Sequence, residues 1–155
     1  MNLEEQYDRI FRYLYYRLHD RHIAEDLTQE TFLRFLRSRT YEDENRQLQY
    51  LYTIARNLCS QHYRDRTIVY NLDEASENPL PEDFECSIVE RISLIEALQK
   101  LSQEEREMLF LRHVNDVPVP VISRLYHVSR FAVYRRLKKI LKKVKDEIEE
   151  EGLDG

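Results

Sequence analysis

Glycine is almost absent from this 155-residue chain, and its two glycines, Gly152 and Gly155, lie in the last four positions. Tight β-hairpins depend on glycine where the backbone takes a positive φ, so sheets joined by short turns are disfavoured. P-loops and dinucleotide-binding loops need several glycines, which excludes both from the folded part of the chain. The sequence therefore predicts an all-α protein.

Apolar residues recur at helical spacing in most of the chain. In the N-terminal half, Ile10 and Leu14 mark one apolar face, and Ala24, Leu27, Thr31, Phe35 and Leu36 mark the next. The pattern Ser102 to Glu105 is typical of a capping box, with serine at the N-cap and glutamate three residues later. The predicted helices cover residues 3–18, 23–37, 47–65, 87–101, 103–113 and 119–125, followed by a basic helix after Ser129.

Acidic residues concentrate in the segment 67–87, which contains no lysine or arginine. Pro79 and Pro81 break any helix there. We expect an extended linker that joins two small helical domains at 1–66 and 88–155. The linker either is a solubilising tether or mimics nucleic acid within a basic channel.

A helix-turn-helix pattern occupies residues 117–145. A short helix is followed by the turn Tyr126–Val128, and the hydroxyl of Ser129 can cap the next helix by accepting from free backbone N–H groups. Two short helices around a tight turn, the second basic, is the arrangement that reads a DNA major groove. The apolar face of the second helix is predicted to contain Val133, Leu137, Ile140, Leu141 and Val144.

The charge of this C-terminal region differs from that of the whole chain, which is −5. Between Asp116 and Asp146 there is no acidic residue, but there are nine lysines and arginines. A local basic block suits phosphate binding, although a solvated lysine-rich helix that binds nothing would show the same run.

Catalytic and metal-binding patterns are missing from the sequence. His19, His22 and Asp26 are too loosely spaced to predict a metal site, and no nucleophile–base arrangement can be assembled. We expect no enzyme activity and no cofactor. Cys59 and Cys86 are isolated, as in a reducing compartment. The acidic N-terminus lacks a long apolar run, so we expect a cytoplasmic protein without signal peptide or membrane insertion.

The motifs and their order resemble the extracytoplasmic-function (ECF) group of bacterial sigma factors along nearly the whole chain. Residues 24–34, AEDLTQETFLR, resemble the region-two signature, and residues 50–57, YLYTIARN, resemble the promoter-melting helix. Tyr50 stands where the family usually has Trp. Residues 101–107 and 117–137 resemble region four, with His127 where the family often has glycine.

The resemblance implies a transcription initiation factor that binds core RNA polymerase, at its clamp and flap regions, and promoter DNA. An anti-sigma protein is a further partner in some such systems. The residues implied for the polymerase clamp are Asp26, Leu27, Gln29 and Glu30. Those implied for the minus-ten single strand are Tyr41, Asn45, Tyr52, Arg56, Asn57 and Arg64. Those implied for the minus-thirty-five major groove are Ser129, Arg130, Phe131, Tyr134, Arg135 and Lys138. From their later position on the helix, Lys142, Lys143 and Lys145 are expected to meet backbone phosphate or solvent.

Two alternatives stay open from the sequence. A stand-alone helix-turn-helix regulator would bind an operator as a dimer, but such a regulator does not require the polymerase-binding motif at residues 26–34. An enzyme acting on nucleic acid is disfavoured because neither a metal cluster nor an acid–base pair is present.

Overall fold

The computed structural model describes residues 1–38, 43–65 and 88–153, which form helices joined by turns without any strand among them. The all-α prediction is confirmed. The chain divides into two compact units, the first built from the three N-terminal helices and the second mainly from the helices after residue 88. The acidic linker 67–87 and Tyr41 lie outside the described residues. The domain boundaries at 66 and 88 therefore stay predictions.

The N-terminal unit consists of α1 (Leu3–Leu18), α2 (Arg21–Arg37) and α3 (Glu44–Asp65). The bounds of α1 match the prediction. Asp20 caps α2, its side chain accepting from the N–H of Ile23 at 3.1 Å, so α2 begins two residues earlier than expected. At the start of α3 the carboxylate of Asp43 accepts from the N–H of Asn45 at 2.9 Å, and this helix also begins earlier than predicted.

The core of this unit combines aliphatic and aromatic side chains from all three helices. Ile10, Leu14, Ala24, Leu51 and Ala55 are fully buried. The buried hydroxyls of Thr28 and Thr31 on α2 each donate a hydrogen bond, at 2.6 Å, to the backbone carbonyl one turn earlier in the helix. The prediction that Leu36 faces the core is wrong, because this side chain is 43% exposed. Leu33 is also exposed, since the stripe buried by α1 and α3 runs through Ala24, Thr28, Thr31 and Phe35 instead.

The C-terminal unit contains α4 (Ile88–Gln99), α5 (Gln103–Leu109), a π-helical turn (Phe110–Val114), α6 (Val119–Tyr126) and α7 (Arg130–Leu153). The predicted capping box is present. The hydroxyl of Ser102 accepts from the N–H of Glu105 at 3.1 Å, and the Glu105 carboxylate accepts from the N–H of Ser102 at 3.0 Å. A single predicted helix over 103–113 is thus an α-helix that widens into a π turn before it ends.

The core of the C-terminal unit is formed by side chains of α5, the π-helical turn, α6 and α7, with α4 and α5 packed against α7. Val121, Ile122, Met108, Leu111 and Val133 are almost completely buried, and Leu137, Ile140 and Val144 continue the buried stripe along α7. Leu141 was expected on this stripe but is 44% exposed, because it lies past the edge of the face that α4 and α5 cover.

Candidate nucleic-acid and polymerase interfaces

The turn between α6 and α7 is closed by hydrogen bonds to Ser123. His127 adopts the left-handed conformation, with φ 55° and ψ 41°, and its N–H donates to the carbonyl of Ser123. The N–H of Val128 donates to the same carbonyl at 3.1 Å, and the Ser123 hydroxyl donates back to the carbonyl of Val128 at 2.5 Å. Histidine is among the non-glycine residues found in this conformation, so the tight turn forms without glycine.

Ser129 fixes the beginning of α7. Its hydroxyl accepts from the N–H of Ala132 at 3.1 Å, as the sequence predicts for an N-cap. With the cap and the buried stripe both fixed, the rotation of α7 about its axis is determined, and so is the set of side chains that points away from the unit.

The outward face of α7 is basic and aromatic. At 100° per residue, Phe131, Arg135 and Lys138 lie opposite the buried stripe. Tyr134 lies about 60° around the helix from Phe131, and Arg130 lies about 100° from it, nearer the edge of the stripe. All five side chains are exposed, Phe131 by 81% and Tyr134 by 60%. The structure therefore brings Phe131, Tyr134, Arg135 and Lys138 of the predicted major-groove set onto the outward side of α7, whereas Arg130 lies at its edge and Ser129 is the N-cap.

Another flank of α7 is held by ion pairs to residues elsewhere in the same unit. Arg136 lies 3.2 Å from Glu104, Lys143 lies 2.8 Å from Glu105, and Glu147 lies 2.6 Å from Lys100. The hydrogen bond from Lys143, together with that from the backbone of Ser102, lowers the pKa of Glu105 below its ordinary value. Lys143, expected at a phosphate, is thus already paired within the protein.

The outer face of α2 carries the residues predicted for the polymerase clamp. Asp26 and Gln29 are exposed, whereas Leu27 and Glu30 are half-buried. The Glu30 carboxylate accepts from Nε of Arg34 at 2.8 Å. Leu33, exposed by 50%, projects from the same face as Asp26 and Glu30. Sequence reasoning missed Leu33, although an apolar residue out of phase with the buried stripe was a signal for it.

On α3 the predicted single-strand residues separate into two groups. Asn57 and Arg64 are exposed and lie about 20° apart around the helix, whereas Asn45 and Arg56 are half-buried and lie about 100–120° around it from Asn57. Tyr52 does not belong with them: its side chain is only 2% exposed and meets the Tyr13 ring edge-on, with centroids 5.8 Å apart. The prediction that Tyr52 contacts a base is corrected, because its ring is part of the core.

Comparison with known proteins assigns one family model to each unit. Residues 3–68 match Sigma-70 region 2, and residues 91–144 match Sigma-70, region 4. The RNA polymerase sigma factor CarQ of Myxococcus xanthus is 32% identical over 139 residues, which cover 81% of this chain and 79% of CarQ. The chain belongs to the ECF sigma factors.

Two further relatives of this sigma factor are similar over most of its length. The ECF RNA polymerase sigma factor BldN of Streptomyces coelicolor is 31% identical over 158 residues, covering 94% of this chain. The chain spans 60% of the length of BldN. The RNA polymerase sigma factor YlaC of Bacillus subtilis is 28% identical over 130 residues, which cover 78% of this chain and 75% of YlaC.

Family membership decides between the alternatives left by the sequence of this sigma factor. A region 2 match in the N-terminal unit makes the chain an alternative-sigma-type initiation factor, and the stand-alone operator-binding regulator is not favoured.

Within residues 1–38, 43–65 and 88–153, no helix has the length and apolar character needed to cross a membrane.

Proposed function

We propose that this sigma factor holds core RNA polymerase through α2 and reads an upstream promoter element with α7. The observation that carries the proposal is the exposed face of α7 that includes Phe131, Arg135 and Lys138 and has no carboxylate before Asp146, in a unit whose turn and cap have helix-turn-helix geometry. The first turns of a recognition helix reach base edges, whereas later positions meet backbone phosphates.

For the minus-ten element we propose a surface on α3 that holds unstacked bases. A single strand is held by stacking, pockets and hydrogen bonds rather than by groove reading. Asn45, Arg56, Asn57 and Arg64 supply amide and guanidinium groups, and this run of α3 presents no carboxylate that would repel phosphate. Tyr41 remains in the proposed set from its sequence position. Tyr52 supports this surface from inside the core rather than touching DNA.

For core polymerase we propose the outer face of α2, centred on Asp26, Gln29, Glu30 and Leu33. The face combines carboxylates with an exposed leucine, which is the composition of a binding surface with an apolar centre and a polar rim. Leu27 lies half-buried at its edge and helps to position the helix. We assign the clamp region of the polymerase to this face and the flap region to the C-terminal unit.

The test is a double charge reversal on α2. Asp26→Lys with Glu30→Lys should abolish co-purification with core polymerase, because both changes place cations in an interface that uses carboxylates. The matched control is Glu4→Lys with Asp8→Lys on α1, which has the same spacing and the same change in net charge at exposed positions. The control should bind core polymerase normally, and both variants should remain folded, each with a modestly lowered urea midpoint, because one loses the Glu30–Arg34 pair and the other places a lysine in the first turn of α1.

Loss of polymerase binding in the α2 variant alone supports the proposal. Equal binding by both variants would show that the clamp interface lies elsewhere.

The remaining partners stay proposals. The acidic linker 67–87 would enter a basic channel of the polymerase, as its charge allows. An anti-sigma protein would compete for the same polymerase and promoter surfaces. We place the protein in the cytoplasm with its polymerase and assign it no catalytic step, since sigma factors are initiation factors that act by binding.

A further inference from the structure

Phe131 is the most exposed of the large apolar side chains in the described residues, at 81%. It is the second residue of α7 and lies opposite the buried stripe formed by Val133, Leu137 and Ile140. Exposed apolar residues are ordinary when they are scattered singly. Here, however, the ring lies at the N-terminal end of a cationic face, with Arg135 one turn and Lys138 two turns farther along the same side.

The chemistry of the major groove offers one apolar partner for such a ring. Donors and acceptors line the edges of all four base pairs, and the thymine C5-methyl is the apolar group among them. A phenyl ring has no polar atom with which to distinguish the other groups. The cation at Lys138 is complementary to the phosphates that flank the groove.

We propose that Phe131 is a specificity-determining residue that reads a thymine in the upstream promoter element through its C5-methyl group. The inference rests on the proposed function of α7 and adds to it the base feature that is recognised. Tyr134 cannot replace Phe131 in this role, because its hydroxyl can bond to bases of either kind or to phosphate, and it lies about 60° around the helix from Phe131.

Replacing Phe131 should leave the fold intact, since the ring contributes little to the core. The experiment uses the sigma factor bound to core polymerase and begins with duplexes selected from a random pool. In one selected duplex, each thymine of the upstream element is replaced singly by deoxyuridine, which removes only the methyl group. Competition binding then measures the affinity for the selected duplex relative to each deoxyuridine duplex, for the wild type, Phe131→Ala and Leu141→Ala.

We expect one thymine-to-deoxyuridine change to weaken wild-type binding by about fourfold, the value of one buried methyl group. Phe131→Ala should remove that difference. Leu141→Ala, a loss of another exposed apolar side chain about 15 Å farther along α7, should retain it. If Phe131→Ala unfolds at the same urea midpoint as the wild type, the lost affinity difference is not caused by misfolding of the variant.

The outcomes separate the inference from the proposed function. If no duplex sequence is selected, α7 does not read promoter DNA, and both fail. If a sequence is selected but contains no thymine in the upstream element, or every deoxyuridine change is neutral, the reading by Phe131 is overturned while groove binding stands. The reading by Phe131 is also overturned if the Phe131→Ala variant still binds the thymine duplex more tightly than the deoxyuridine duplex. This conclusion applies even if the variant binds core polymerase more weakly than the wild type does.

Discussion

The neighbouring lysines Lys142 and Lys143 provide a test of which cations of α7 bind DNA and which form ion pairs within the protein. Lys142 is exposed and has no ion pair within the described part of the chain, whereas Lys143 lies 2.8 Å from the Glu105 carboxylate. The two variants Lys142→Ala and Lys143→Ala remove the same charge at adjacent positions. We expect the first to affect DNA binding alone and the second to affect mainly the stability of the protein.

The expected magnitudes follow from the two environments. A lysine that neutralises one phosphate contributes about 0.9 to the slope of log affinity against log salt, so between about 50 and about 200 mM salt it accounts for a loss of roughly 3.5-fold. The ion pair of Lys143 is partly exposed, by 49% on the lysine and 25% on the glutamate. Its removal should lower the free energy of unfolding by about 0.2–1 kcal/mol.

The assay is fluorescence anisotropy of an upstream-element duplex over a salt series, together with urea unfolding of each variant. Lys142→Ala should weaken all duplex sequences alike and reduce the salt slope by about one, with unchanged unfolding. Lys143→Ala should keep most of the slope and unfold at lower urea. If Lys143→Ala instead reduced the slope as much as Lys142→Ala and unfolded like the wild type, the division of charges on α7 would be wrong.

Two further predictions concern single residues of the C-terminal unit. Arg135→Ala should relax the preference at one base pair of the upstream element by about 1–3 kcal/mol, measured as transcription from single-base promoter variants, and uniform weakening across all variants would contradict a base contact. Glu105→Gln should lower stability at neutral pH by about 1 kcal/mol, since the ion pair and the capping box both lose a charge. Because the folded pKa of Glu105 is lowered from 4.5, this stabilisation is present above that value and is lost as pH falls through the folded pKa, so urea midpoints of variant and wild type should converge in acid.

Local signals in the sequence predicted much of the fold. The bounds of α1, the capping box at Ser102 and the cap at Ser129 depend on residues within one turn of each other. The tight turn at His127 was likewise readable, because residues on either side of it have clear helical periodicity. The outward set on α7 followed from the same periodicity once the helix start was fixed.

The misassigned residues depend on contacts between helices. Tyr52 lies at the border of the polar and apolar faces of α3, and its ring turns inward against Tyr13 of α1, a contact that the periodicity of α3 alone does not predict. Leu36 and Leu141 lie at comparable borders but turn outward, because the neighbouring helices do not extend over them. The pairing of Lys143 with Glu105 joins residues 38 positions apart, a separation that helical periodicity does not reach.

On α7 the residues that pack and the residues proposed to read DNA are separate sets. Val133, Leu137, Ile140 and Val144 are buried in the free protein, so the helix is ordered before DNA arrives, and binding requires only that exposed side chains give up rotamers, at about 0.5–1.5 kcal/mol each. Substitutions on the outward face leave the buried stripe untouched and should change stability by no more than about 0.5 kcal/mol. Evolution can therefore redirect such a factor to new promoters one side chain at a time, without passing through unstable intermediates.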